Sequence, residues 1–427
     1  MNVYIYTLGC RLNQCESEAI ADSFAKNGFS VLQSHEDADI VVVNSCTVTS
    51  KAEQKARRMI RLFSKSAKAV IVTGCYVEVS GEEVSRLGEN VVIFSLREKA
   101  DLLSLPSHIL SSALLGMDTL DSVRSFPKKE RSPFDFDAQS FAYHSRAYLK
   151  IQDGCDNSCG YCRTTIARGE SRWLDGEEVV KRVKALEAEG FREIMLTGVN
   201  LTNYDHTGDG LGGLMEKILR ECGTNIRFRL SSMEPDHVDD RLLDAISDYR
   251  VFPHFHIPIQ TASDRVLKII GRNYSIDHVE YIIRRLREIK DDPFIACDVI
   301  AGLPGEREED WKITYDFLDR NDFAAMHVFP YSPRPGTPLY SSPLKIEERV
   351  RDERAKELRK LSERQSRSYL MRQLGKKVEI LAEKNGSGTT GNYLKAKIIP
   401  SHNTDIVEGE LYSGIITSVF PIEVSVE

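Results

Sequence analysis

Twice along this 427-residue chain, short β-branched runs alternate with stretches of helical period, and that alternation restricts it to parallel-sheet architectures. In the first stretch Val3–Thr7, Asp39–Val43 and Ala69–Thr73 read as strands. Glu16–Asn27, ended by Gly28, and Lys51–Ser64 read as the helices between them. Strands joined through helices run parallel with right-handed crossovers, so all of them end on one edge, where ligands bind. Cys10, Cys46 and Cys75 each follow one of these strands by about two or three residues. The topology therefore gathers three cysteines that are far apart in sequence.

The rhythm is lost from residue 101 to about 145, where Pro127–Pro133 reads as a linker core. It resumes at Ala147–Gln152, Glu193–Thr197, Arg227–Ser231, Phe255–Pro258, Phe294–Val299 and Ala325–Phe329. About six such units predict a partial (β/α)6 TIM-like barrel, whose chemistry sits at the C-terminal strand ends. Lys345–Lys377 reads as a long charged helix and its exit, with twelve Lys/Arg against six Asp/Glu. Beyond it, Val378–Leu381, Tyr393–Ile398, Ile406–Leu411 and Gly414–Ser418 read as short strands of a small β-barrel, an architecture suited to oligonucleotides. The expected fold class is thus α/β with an appended β-barrel. The expected divisions are 1–115, a linker over 116–140, 141–372 and 373–427.

Composition narrows the chemistry. The net charge of −7 argues against a general polyanion binder, although the basic helix is a local exception. No apolar run approaches the roughly 18 residues of a membrane span, and Met1–Thr7 lacks a signal-peptide pattern. A cytoplasmic protein is expected. In that reducing compartment closely spaced cysteines favour metal binding over disulfides.

Six of the nine cysteines form two groups of three. The second group, Cys155, Cys159 and Cys162, has the local spacing C-x3-C-x2-C, with Tyr161 before the last. A structural zinc site closes itself with four ligands, whereas three leave a position open for chemistry. Thiolates are also the usual ligands of iron–sulfur clusters.

The local trio resembles the cluster motif of the radical SAM superfamily, in which three cysteines hold a [4Fe–4S] cluster whose free iron binds S-adenosylmethionine (SAM). Three downstream segments are similar to that superfamily's SAM-binding strands: Leu196–Asn200, His256–Gln260 and Cys297–Glu306. The resemblance implies SAM contacts from Tyr161, Thr197, Gly198, Glu234, Gln260, Ile300 and Gly302, and no catalytic side chain beyond the cluster ligands. The scattered trio narrows the family. Thr7–Gln14, Val43–Thr49 and Val72–Tyr76 resemble the N-terminal domain of the radical SAM methylthiotransferases, and the C-terminal strands their RNA-binding TRAM barrel.

That resemblance implies a second [4Fe–4S] cluster on Cys10, Cys46 and Cys75, a tRNA anticodon stem-loop as partner, an electron donor such as flavodoxin or ferredoxin, and a monomer. Asn44–Thr49 and His327–Thr337 are most similar to the branch acting on N6-threonylcarbamoyladenosine, with Arg334 standing where the ribosomal-protein branch carries an acid. Isopentenyladenosine and a ribosomal-protein aspartate are the alternative substrates. A zinc-stabilised RNA-binding protein is the non-enzymatic alternative. Cys15, Cys222 and Cys297 are expected to be packing residues, with Cys15 mildly acidified at a helix start.

Overall fold

A computed structural model describes residues 1–136, 138–401 and 405–426. The chain opens with a wholly parallel sheet of β1 (Asn2–Thr7), β2 (Ser30–Leu32), β3 (Ile40–Ser45), β4 (Ala69–Gly74) and β5 (Val91–Ile93), in the order β2-β1-β3-β4-β5. Alternate side chains enter opposite cores, as strand geometry demands. Val3, Ile5, Val42 and Ile71 meet Ile20 and Phe24 of α1 (Arg11–Lys26). Val41, Val43, Val70 and Val72 meet Ile60 and Phe63 of α2 (Ser50–Phe63) and Val84 of α3 (Cys75–Ser85). A sheet covered on both faces explains the unbroken apolar strands β3 and β4.

Helix α1 starts five residues earlier than its apolar period predicts. Its N-cap position is Cys10, and the chain turns into it at Gly9, which has φ +106°. The stretch expected as a linker carries α5 (Thr119–Arg124), which follows α4 (Leu105–Leu114). It buries Val123, Phe126 and Phe136 in the first core.

The second unit has six parallel strands. β6 (Ala147–Lys150), β9 (Glu193–Thr197) and β10 (Arg227–Leu230) form one sheet in the order β10-β9-β6. β11 (His254–Gln260), β12 (Phe294–Ala301) and β13 (Ala325–Pro330) form the other. Single bridges, Phe228↔Val251 and Ser232↔His256, join the two into a partial barrel. A short antiparallel ribbon of β7 (Gln152–Asp153) and β8 (Arg172–Trp173) brackets α6 (Thr164–Arg168). Outside lie α7 (Gly176–Ala188), α8 (Gly210–Glu221), α9 (Asp240–Ala245), α10 (Asp264–Ile269), α11 (Ile276–Ile289) and α12 (Glu308–Asn321). Leu149, Ile194, Leu196, Phe228, Ile257, Cys297, Val299 and Met326 face these helices in one core. The residues alternating with them therefore face the lumen.

Helix α13 (Glu348–Gln373) leads to a closed five-stranded barrel of β14 (Lys377–Glu383), β15 (Ser387–Thr390), β16 (Lys395–Pro400), β17 (Leu411–Val419) and β18 (Ile422–Val426). Two sequence expectations are corrected here. Residues 406–410 are not a strand: the turn at Gly409 (φ +87°) intervenes and pairing begins at Leu411. Tyr393 precedes its strand, in a left-handed turn with φ +67°. Its ring lies 4.1 Å from that of His254 and 4.8 Å from the Arg229 guanidinium, so it plugs the foot of the larger barrel. No described helix is long and apolar enough to cross a membrane.

Candidate active site

The first sheet brings Cys10, Cys46 and Cys75 to one edge, as topology requires. Cys46 directly follows β3, and Cys75 is the first residue of α3. Two glycines permit the approach. A Cβ on Gly9 would lie 2.9 Å from that of Cys46, and one on Gly74 (φ +98°) would lie 2.3 Å from the Ser45 carbonyl oxygen. Asn13 Nδ2 ties the two loops by donating to the carbonyls of Leu8 (2.7 Å) and Ser45 (3.1 Å). The thiols are close enough to disfavour each other's ionisation. Burial, reinforced by Cys10 and Cys75, pushes the Cys46 thiol up to about 12.

Cys155, Cys159 and Cys162 sit on the loop between β7 and α6. Backbone bonds fix it at both ends: Cys155 N–H donates to Gly169 (3.0 Å) and Gly160 N–H to Ile270 (2.9 Å). Burial, with the neighbouring thiols Cys162 and Cys155 adding to it against Arg272, raises Cys159 to about 12. Three thiols per trio leave one metal position open, as a reactive centre requires.

Charged residues that sequence reasoning missed join the two sites. Arg168, on the helix that follows the local trio, donates to Asn13 Oδ1 (2.8 Å), and its charge favours the Cys75 thiolate against burial. It pairs with Asp153 (3.0 Å) and Glu16 (3.2 Å), and Lys150 pairs with the same two acids at 2.6 and 2.8 Å. Lys99 pairs with Glu16 and donates to Asn44 Oδ1 at 2.9 Å. All five charged side chains are buried. Three cations against two carboxylates leave one positive charge beside the scattered trio, which fits an anionic metal–thiolate group.

A second tie is built on Glu53, whose Oε1 accepts from Arg163 (3.0 Å), Arg334 and Thr47. Arg163 follows Cys162 and Thr47 follows Cys46, so one carboxylate holds both cysteine loops. Arg334 is thus engaged in this clamp, with Ser50 Oγ accepting at 2.7 Å.

The expected SAM contacts fall into three settings. Thr197 ends β9 facing the lumen, and its buried Oγ1 has no partner. The same holds for Ser231 Oγ, just past the end of the neighbouring strand β10, where the Ser231 N–H donates to the Leu196 carbonyl. Two orphaned hydroxyls at the barrel mouth suit a polar ligand. Gly198 leaves no room for a side chain, since a Cβ would meet Gln152 Oε1 at 2.7 Å. Ile300 faces the lumen, and Gln260 lies buried at the end of β11 in a left-handed conformation, φ +61°. Tyr161 and Glu234 share Arg272, at 2.8 and 2.5 Å. Burial raises the Glu234 carboxyl against that arginine. Gly302 is engaged differently: its N–H donates to Glu306 (3.1 Å), and Arg351 fills the space a side chain would take.

The remaining cysteines are buried and remote from both trios in role. Cys222 and Cys297 belong to the barrel core. Cys15 contacts the Tyr148 carbonyl at 3.5 Å, and burial raises its thiol to about 12 rather than acidifying it.

Comparison with known proteins agrees with this geometry. Residues 149–318 match the Radical SAM superfamily, and residues 2–95 match the Uncharacterized protein family UPF0004. The threonylcarbamoyladenosine tRNA methylthiotransferase MtaB of Treponema pallidum (strain Nichols) is 36% identical, covering 93% of this chain and 94% of its own length. The MtaB proteins of Aquifex aeolicus (strain VF5) and Bacillus subtilis (strain 168) are 33% and 32% identical, with 93% and 92% of this chain and 96% and 90% of theirs covered. Among solved structures, the radical SAM methyltransferase TsrM from Kitasatospora setae, with cobalamin and a [4Fe–4S] cluster bound, superposes with a TM-score of 0.55. It is 14% identical over 79% of this chain and 77% of TsrM, a likeness of fold. The resemblance read from the two cysteine trios is borne out: the chain belongs to the MtaB family of radical SAM methylthiotransferases.

Proposed function

We propose that this protein attaches a methylthio group to C2 of N6-threonylcarbamoyladenosine at position 37 of tRNA. The observation that carries the reading is the pair of three-cysteine sites locked together through Glu53 and Arg168. The names of relatives matched along almost their entire length supply the substrate. Cys155, Cys159 and Cys162 would hold the cluster that reduces SAM, and Cys10, Cys46 and Cys75 a second cluster. An oxidised [4Fe–4S] core on three thiolates carries one negative charge, which the single excess buried cation balances. Bound there, these groups supply a 5′-deoxyadenosyl radical that takes the C2 hydrogen and a sulfur that replaces it.

The chain's own residues do the placing. Thr197 and Ser231 offer unpaired hydroxyls to SAM, beside Tyr161, Gly198, Glu234, Gln260 and Ile300, with Gly302 shaping the strand end. Arg168 and Glu53 fix the distance between the two sites. The anticodon loop exposes an unstacked base to the lumen, while the closed β-barrel and α13 bind the surrounding RNA through phosphate contacts. We assign the first unit to residues 1–115, with the connecting stretch 116–140 packed onto its core, the radical SAM unit to 141–372 and the RNA-binding barrel to 373–427. A monomer supplied with electrons by a flavodoxin or ferredoxin suffices.

Mass spectrometry of tRNA nucleosides from a strain lacking this chain tests the reading. The methylthio-threonylcarbamoyl nucleoside should vanish and its precursor accumulate. Loss of the methylthio-isopentenyl nucleoside instead would refute it. Colourless protein holding stoichiometric zinc after anaerobic purification would refute the chemistry as well.

A further inference from the structure

One layer below the strand ends, the lumen holds a group of side chains that the cluster and SAM sites leave unused. His256 on β11, Asp298 on β12 and His327 on β13 lie side by side. Their neighbours Ile257, Cys297 and Met326 point outward into the core, so all three face inward. Asp298 Oδ1 lies 2.9 Å from His256 Nε2 and 2.9 Å from His327 Nδ1, and the three ligating atoms are within 4.8 Å of one another. One carboxylate oxygen accepting from both rings requires a proton on each facing nitrogen, which fixes both tautomers. The remaining nitrogen of His327 makes no hydrogen bond to the described residues, and that side chain is 57% exposed.

The charges decide what such a site takes. Against the push of burial, hydrogen bonds from His256 and His327 hold the Asp298 carboxyl far below the usual carboxylate range. The bond to Asp298 raises His327 in turn. Arg11, the residue after Cys10, lies close enough to act on His327 and on His254 beneath it. Arg11 and His327, whose bond to Asp298 favours its protonated form, stand against the single carboxylate. A divalent cation would feel the Arg11 charge, whereas a bound anion would favour the protonated ring further and meet its N–H.

We propose that His327, held by Asp298 and His256, receives the carboxylate of the amino-acid substituent on N6 of the target adenosine. This rests on the substrate reading above and names the residue that enforces it. Asp298 is two residues before Ile300 on the same face of β12, roughly 6–7 Å deeper. An adenine with C2 at the barrel mouth and its N6 arm directed down the lumen spans that depth. An apolar isopentenyl arm would leave that His327 nitrogen without a partner, so the site discriminates as well as binds. His256 and Asp298 are positioning residues. They hold the His327 ring and its tautomer.

The test measures equilibrium binding of the holoenzyme to one tRNA carrying either N6-threonylcarbamoyladenosine or unmodified adenosine at the target position. His327→Asn should weaken the modified tRNA roughly 10- to 100-fold, the loss of one charge-assisted hydrogen bond, and leave the unmodified tRNA unchanged. His327→Gln, whose longer side chain carries a neutral donor out to the Nε2 position, should fall between, and Asp298→Asn should show the same selectivity. Iron content and the visible spectrum equal to wild type establish that each variant is folded. Equal weakening of both tRNAs would place an RNA phosphate at His327 and overturn the proposal. So would unchanged binding, or a stoichiometric divalent metal lost with His327. If the wild type methylthiolates isopentenyladenosine tRNA and not the threonylcarbamoyl form, the substrate reading has failed. If it methylthiolates the latter and His327→Asn binds it normally, only this inference has.

Discussion

Replacing Glu53 by Gln probes the clamp between the two cysteine sites most directly. Glu53 Oε1 alone serves Arg163, Arg334 and Thr47. The two arginines are almost fully buried, 7% and 4% exposed, and Glu53 is 12% exposed. Removing one partner of a buried pair costs about 3–5 kcal/mol, because a desolvated charge is left behind. Here two are left, facing each other: burial and then the Arg334 charge already disfavour the charged form of Arg163. The loss should therefore reach about 4 kcal/mol in urea unfolding of the metal-free protein, followed by circular dichroism. Arg334→Met should relieve part of it, since it removes one stranded cation. The double variant should then be more stable than the sum of the single losses by about 1 kcal/mol or more. In the loaded enzyme Glu53→Gln should keep SAM cleavage, whose ligands share one loop, and lose methylthio transfer, which needs both loops in register. A loss below about 1 kcal/mol, or strict additivity in the cycle, would show that the clamp does not hold the two units together.

Three further outcomes follow from the same geometry. Cys155→Ala should abolish reductive SAM cleavage, whereas Cys10→Ala should leave it largely intact and stop methylthiolation; loss of both reactions in folded Cys10→Ala would break that division. Gly74→Ala puts a Cβ 2.3 Å from the Ser45 carbonyl oxygen at φ +98° and displaces Cys75. Iron per chain should fall from roughly eight toward four in reconstituted protein, with the cleavage activity retained. Asp310 works against burial through hydrogen bonds from Arg265, Ser263 and the Arg307 amide, which hold its carboxyl down at about 2. Its folded value lies below the ordinary one, so the stability it contributes is present above about pH 4 and lost as pH falls toward 2. Discounted for the partly exposed Arg265, that is about 1 kcal/mol, and acid titration of Asp310→Asn should show a correspondingly flatter limb.

The order of strands and the gathering of the scattered cysteines were legible because both are local. Glu193–Thr197 is a strand at the very residues its pattern marks, and a cysteine after a parallel strand has only one edge on which to lie. Tyr393 was not legible, since its left-handed turn is held by Arg11, Arg146, Arg229 and His254, none nearer than 139 positions in sequence. The clamp made by Arg334 was hidden for a similar reason: its partner Glu53 lies in another unit.

The inward-facing polar residues of the strands stood between these cases. Lys150, Glu193, Arg229, His256 and Asp298 each alternate with core residues along a strand of a parallel sheet whose outer face is covered by helices. In an exposed antiparallel strand such a pattern means a solvated face. Here there is no outer solvent face to take, and an unpaired charge inside would cost more than the fold can spare. Each such residue must therefore meet an opposite charge or a ligand. Glu193 meets Arg146 and Arg229, and Lys150 meets Glu16 and Asp153. That pairing seals the foot of the lumen and the wall toward the first unit. His327 keeps a nitrogen without a partner among the described residues, which makes that layer of the lumen the place where the substrate's own charge completes the pattern.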